Sequence, residues 1–154
     1  MEPSSPRSTA AVLLLAGGIA CLLIALLHVI MIAIGADAYR FFGAGEEMAL
    51  HAEAGSWIPS VVTAVLAIVF ATWGCYGLSG AGILRALPFC RTALLLIGCI
   101  FLLRGIAFLP LLFLVESPHA IELRARPLFS LLSSLINLAI GWAYLYGSRR
   151  FPTR

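Results

Sequence analysis

A chain of 154 residues that is 62% hydrophobic and only 11% charged, with a mean hydropathy of +1.04, is not a water-soluble globular domain, in which about 25% of residues are charged. Its net charge of +3 sets ten basic residues, all arginine, against seven acids. The arginines are scattered at the edges of apolar runs, which argues against a nucleic-acid footprint.

Residues 1–8, with Pro3 and Pro6 among serines, read as a disordered lead carrying Arg7. Ala10 to Ile34 is the first of four apolar runs long enough to cross about 30 Å of hydrocarbon. Small residues at Ala33, Gly35 and Ala36 mimic a signal-peptide cleavage site, but the run is longer than the apolar stretch of about 7 to 15 residues such peptides use. The connection from Asp37 to Ser56 is acidic, with Asp37, Glu46, Glu47 and Glu53 against Arg40. Its aromatic start, Tyr39 to Phe42, suits the headgroup level, and an amphipathic segment over about residues 44–55 is expected to hold a short surface helix at Glu46 to Glu53.

The second run, Ile58 to Leu78, stops at the Ser79-Gly80-Ala81-Gly82 turn; Arg85, Pro88 and Arg91 follow. The third, Thr92 to Val115, contains Arg104 near its middle and Pro110, which should kink the helix and free the carbonyl of Ile106. A short, charge-balanced connection, Glu116 to Pro127, leads into the fourth run, Leu128 to Tyr146, and a tail with Arg149, Arg150 and Arg154. Arginines flank the first run, the second connection and the tail, so both termini are expected in the cytoplasm. The predicted fold is all-α: one polytopic membrane domain over residues 1–154, an antiparallel bundle of four transmembrane helices at about 10–34, 58–78, 92–115 and 128–146.

Tyr39-Arg40-Phe41-Phe42-Gly43-Ala44-Gly45-Glu46-Glu47, Leu78 to Pro88, and Leu102-Leu103-Arg104-Gly105 carry a resemblance. In these stretches the chain resembles small four-helix inner-membrane proteins of proteobacteria, a group to which no activity is assigned. The resemblance covers most of the chain from the first helix onward and implies a bacterial inner-membrane location.

Each run carries small or polar residues at spacings of three and four, which places them on one helix face. They are Gly17, Cys21 and His28 in the first, Ser60, Thr63, Gly74 and Gly77 in the second, Gly98, Arg104 and Gly105 in the third, and Ser130, Ser134, Asn137, Gly141 and Tyr144 in the fourth. Close helix packing accounts for most of this pattern. Arg104 is the exception. A guanidinium keeps its charge, at least about 2.5 kcal/mol is needed to hold it at mid-bilayer, and no carboxylate lies in any other apolar run. Counting along each helix, Arg104 and Asn137 fall near mid-bilayer and His28 and Thr63 roughly 7 to 9 Å toward the outer side, so these four are the ligand-binding candidates. A partner for Arg104 is expected from Asp37, Glu46, Glu47 or Glu53 folding inward, an anionic ligand, water with backbone carbonyls freed by Pro110, or another subunit.

No catalytic residue, metal site or cofactor is expected. Haem would want paired histidines at helix depth, whereas His51 and His119 lie in connections. The four cysteines, Cys21, Cys75, Cys90 and Cys99, form no CxxC pair and read as packing residues. Two functions remain. One is binding or transport of an anionic lipid or small solute through an outward-facing polar pocket around Arg104. The other is a structural or assembly subunit with no ligand. The expected partners are the lipid bilayer, that anionic lipid or solute, and a second copy of the chain in a homo-oligomer.

Overall fold

The computed structural model describes residues 6–151, so Ser4, Ser5 and Arg154 of the sequence reading lie outside it. Among the described residues the chain is helical throughout: α1 (Pro6–Ile34), α2 (Ala36–Phe41), α3 (Glu46–Glu53), α4 (Ile58–Ala81), α5 (Cys90–Leu114), α6 (Pro118–Arg124) and α7 (Pro127–Ser148). Four of these, α1, α4, α5 and α7, are long and apolar enough to cross a membrane. The first helix starts at Pro6, inside the stretch read from sequence as a disordered lead; proline suits a first helical turn because its missing N–H has no intrahelical partner there.

Local signals fix the helix ends. Gly82, with φ 86°, takes the left-handed conformation that closes α4, and the N–H of Ile83 reaches back to the carbonyl of Leu78 at 3.0 Å. Ser117 caps α6 by accepting a hydrogen bond from the Ala120 N–H at 3.1 Å, and Pro127 stands in the first turn of α7. Helix α5 continues through Pro110 to Leu114.

The long helices form two close pairs, α1 with α4 and α5 with α7, and the pairs meet where α1 runs along α7. Glycines make both pairs possible. A β-carbon added at Gly18 would sit 3.0 Å from the Gly74 carbonyl oxygen, and one at Gly77 would sit 2.7 Å from the Gly18 Cα. In the second pair, a β-carbon at Gly141 would lie 2.8 Å from the Leu102 nitrogen, and one at Gly105 2.7 Å from Leu138 Cγ. Backbones this close exchange dispersion contacts that longer side chains would forbid, which is how apolar helices associate in a solvent as apolar as themselves. Leu138 therefore faces α5 and not lipid, while Leu132 and Ile136 point outward.

Tyr144 locks the pairs together. It is fully buried, and its hydroxyl donates to the Trp73 carbonyl of α4 at 2.7 Å and to Cys21 Sγ of α1 at 3.5 Å. Leu14, Leu94, Ile97, Phe101 and Ile140 complete this core. At one end of the bundle, α2, α3 and α6 form a cap: α2 and α3 close over a smaller apolar cluster of Met31, Ala38, Tyr39 and Ala49, and α6 packs through Ala120 and Leu123. The other end carries the α4 to α5 link, where Arg150 donates to the carbonyls of Gly80 and Ala81 at 3.1 and 2.9 Å.

Candidate functional site

Arg104 lies on the line Ile97, Phe101, Arg104, Phe108 of α5, at spacings of four, three and four that keep one direction along a helix. That line looks toward α4, because Phe101 meets Trp73 at 5.3 Å and Phe70 at 6.2 Å between ring centroids. The neighbouring line, with Gly98 and Gly105, faces α7 instead. Ile97 and Phe101 are each only 3% exposed. One turn further toward the cap, Arg104 is exposed. On α4 the residues in line with Trp73 open in the same way, Leu66 being 42% and Val62 44% exposed. The seam between α4 and α5 is thus shut from the link to Phe101 and open from Arg104 to the cap.

Within that opening the guanidinium lies over the Phe108 ring, 4.3 Å from its centroid, a cation–π contact that supplies attraction but no hydrogen-bond acceptor. Phe108 in turn packs under Ala120 and Leu123 of α6, so the cap roofs the arginine on that side. Among the described residues every ion pair belongs to Arg40, and none reaches Arg104.

The other three candidates take separate places. His28 shares the layer of Arg104, since its ring meets Phe70 at 5.2 Å and Phe70 meets Phe101. Its Nδ1 donates to the carbonyl of Ile24 at 2.7 Å. Asn137 is also in this layer, beside Leu138 and Ser134, which abut Gly105, but its amide donates to the Ser133 carbonyl of its own helix at 2.7 Å. Both side chains therefore satisfy themselves locally. Thr63 is buried, two turns or about 10 Å along α4 from Phe70, and stands apart from the layer. A polar group that the small-residue pattern leaves inconspicuous is Ser134, whose buried hydroxyl has no hydrogen-bond partner one helix across from Gly105.

The cap holds the charges that sequence spacing leaves unpaired. Arg40 Nε and Nη2 donate to Glu46 at 2.9 and 2.7 Å, and Nη1 to Glu53 at 2.6 Å, clamping α2 to α3. These bonds hold the Glu46 and Glu53 carboxyls below the usual carboxylate range. Arg126 Nη1 donates to the carbonyls of Arg40 and Phe41 at 2.8 and 3.0 Å, closing the end of α2, where a cation is favoured by the helix dipole. Two of the inward-folding acids expected for Arg104, Glu46 and Glu53, are engaged here with Arg40, and Asp37 sits 3.8 Å from the same guanidinium.

Two cavities lie in the cap. One, of about 620 Å³, is lined by α3 and α6, with Glu46, Glu47, His51, Ser117 and Glu122 supplying its polar wall. The other, of about 360 Å³, lies between Arg40, Glu46, Glu122 and Arg126. The larger cavity lies against α3 and the start of α6, and Glu46, Glu47 and Glu122 make its wall acidic. No group of three or more histidine, cysteine or acidic side chains suited to a metal occurs among the described residues.

The chain matches no protein-family model, and no curated protein or solved structure is similar to it. By its four long apolar helices it is a multi-pass α-helical membrane protein.

Proposed function

We propose that the protein is a membrane-embedded binding or transport component whose site is the open seam at Arg104, and that the group bound there is an anion. The observation that carries this reading is a permanent cation exposed at mid-helix with an aromatic face beneath it and no carboxylate on it among the described residues. Such a charge is stabilised in hydrocarbon only by a counter-charge or by water. The bundle is read as antiparallel, because His28 meets Phe70 while Gly18, ten residues earlier, meets Gly74 and Leu78. Both termini are assigned to the cytoplasm from the arginines at the α4 to α5 link and in the tail, which puts the acidic cap on the outer face, with the bacterial inner membrane as the location.

Purified protein in neutral detergent is expected to gain several degrees of thermal stability from an anionic amphiphile, and to lose that gain in Arg104→Gln. A response to anions that is identical in both proteins refutes the reading.

One observation favours a second reading, an assembly subunit. Arg104 is exposed on the outside of a single chain, where a carboxylate on a helix of a different membrane protein would reach it. A second copy of this chain does not supply that group, since all seven acids fall outside the four spans.

A further inference from the structure

We infer that the ligand of Arg104 is a single-chain lipophilic acid, a fatty-acid-like amphiphile that reaches the site sideways from the bilayer with its tail along the α4 to α5 seam. This rests on the reading of Arg104 as an anion site and narrows it to one chemical class by three observations.

The first concerns the route. Toward the cap, Arg104 is covered by Phe108 beneath Ala120 and Leu123, and the cap carries Glu46, Glu47 and Glu122 on one cavity wall. Like charges repel and the roof is apolar, so that route disfavours a small free anion. From the link end the seam is shut by Phe101 against Trp73 and Phe70. The remaining side is lateral, between Leu66 and Val62 of α4 and Arg104 of α5, all of them exposed.

The second is depth. Arg104 is ten residues from the end of α5 at Leu114, about 15 Å, which is roughly the half-thickness of the hydrocarbon. A diacyl phospholipid would have to drag its glycerol esters and headgroup to that depth, burying polar groups for which the seam offers no partners. A single-chain acid brings one polar group, its carboxylate, which the guanidinium can meet with a charge-assisted hydrogen bond.

The third is the lining. Val62 and Leu66 are aliphatic and continue from the Trp73 and Phe70 rings, so an alkyl chain laid along them covers surface that α5 leaves uncovered. Acid group and tail are thus matched by neighbouring exposed surfaces, charge by Arg104 and apolar surface by Val62 and Leu66.

The test uses the intrinsic reporter at the closed end of the seam. Replacing Trp57 and Trp142 by Phe leaves Trp73 as the sole tryptophan of the three. In neutral phosphatidylcholine vesicles, a fatty acid brominated beside its carboxyl group, the end that meets Arg104 one turn from the Phe101 contact with Trp73, should quench Trp73 saturably, whereas its methyl ester should quench no more than labelled lipid chains do. Arg104→Gln should weaken the acid's binding at least about tenfold, the effect of losing one charge-assisted hydrogen bond, and Arg104→Lys should keep most of it. If Arg104→Gln does not fold, the comparison of acid with ester on the otherwise unchanged protein and on Arg104→Lys still decides. Equal quenching by acid and ester overturns the proposal. Arg104-dependent binding of labelled phosphatidylglycerol, or Arg104-dependent stabilisation by inorganic phosphate, in preference to the fatty acid would overturn the single-chain class and leave the anion site standing. Absence of any Arg104-dependent response to all three probes overturns both.

Discussion

Arg40 and Arg104 are the same residue in two solvents, and the molecule treats them oppositely. In the cap, Arg40 collects Asp37, Glu46 and Glu53 within 4 Å and spends its charge holding two short helices together. In the spans, where an ion pair would be far stronger, Arg104 is given an aromatic ring and an open seam. The spans cohere by a different means, the removal of side chains at Gly18, Gly77, Gly105 and Gly141, together with the cross-helix bond of the buried Tyr144 hydroxyl. Charge thus does the fastening where water weakens it, and is left unfastened where it would be strongest.

The largest effects should come from refilling the glycine contacts. Gly18→Leu or Gly77→Leu forces side chains into the α1 to α4 backbone contact and should destabilise the protein by about 3 kcal/mol or more, read as loss of the monodisperse folded species in detergent. Tyr144→Phe removes the bond to Trp73 and should cost about 1 kcal/mol in a denaturation series; no change would mean that ring packing alone joins the two halves. Arg104→Leu should be neutral or stabilising by about 1 kcal/mol without ligand, since an apolar residue suits the seam better than an uncompensated cation. Clear destabilisation would place Arg104 with Arg40 among the structural arginines.

The smallest effect belongs to the cap, and it is one of pH and salt. The carboxyls of Glu46 and Glu53 are held below their ordinary range by Arg40, so their contribution is fully present above that range and is lost as the pH falls through their lowered values. Protection of the α2 and α3 amides, taken relative to their intrinsic exchange rates, should therefore fall in acid or at high salt while the long helices stay protected, and Arg40→Ala should produce the same loosening at neutral pH. Uniform exchange across cap and spans would show that the clamp carries no local stability.

How much of this was legible beforehand follows the same division. Long apolar runs and helix-ending signals such as Gly82 and Pro127 are local, so the four long helices and the short helix at Glu46 to Glu53 could be read from sequence. The conspicuous place of Arg104 was equally legible, because one charge interrupts an apolar run. What could not be read is which neighbours each residue meets. His28 and Asn137 bond to their own helices, and His28 meets Phe70 in the arginine layer instead of standing outward of it, because helix rotation and register depend on glycine contacts between segments far apart in the chain. The ties between Arg126 and α2 likewise join residues 86 and 85 positions apart, beyond any periodicity.

The fastening by Tyr144 also determines how the molecule can move. With α1 against α7 along one edge, and the α4 to α5 link as the covalent tie at one end of the opposite edge, the two helix pairs resemble the boards of a book bound along its spine and stitched at one corner. The free part of that edge runs from Arg104 at mid-helix up to a cap whose short helices are held by charges that water, salt and acid can release.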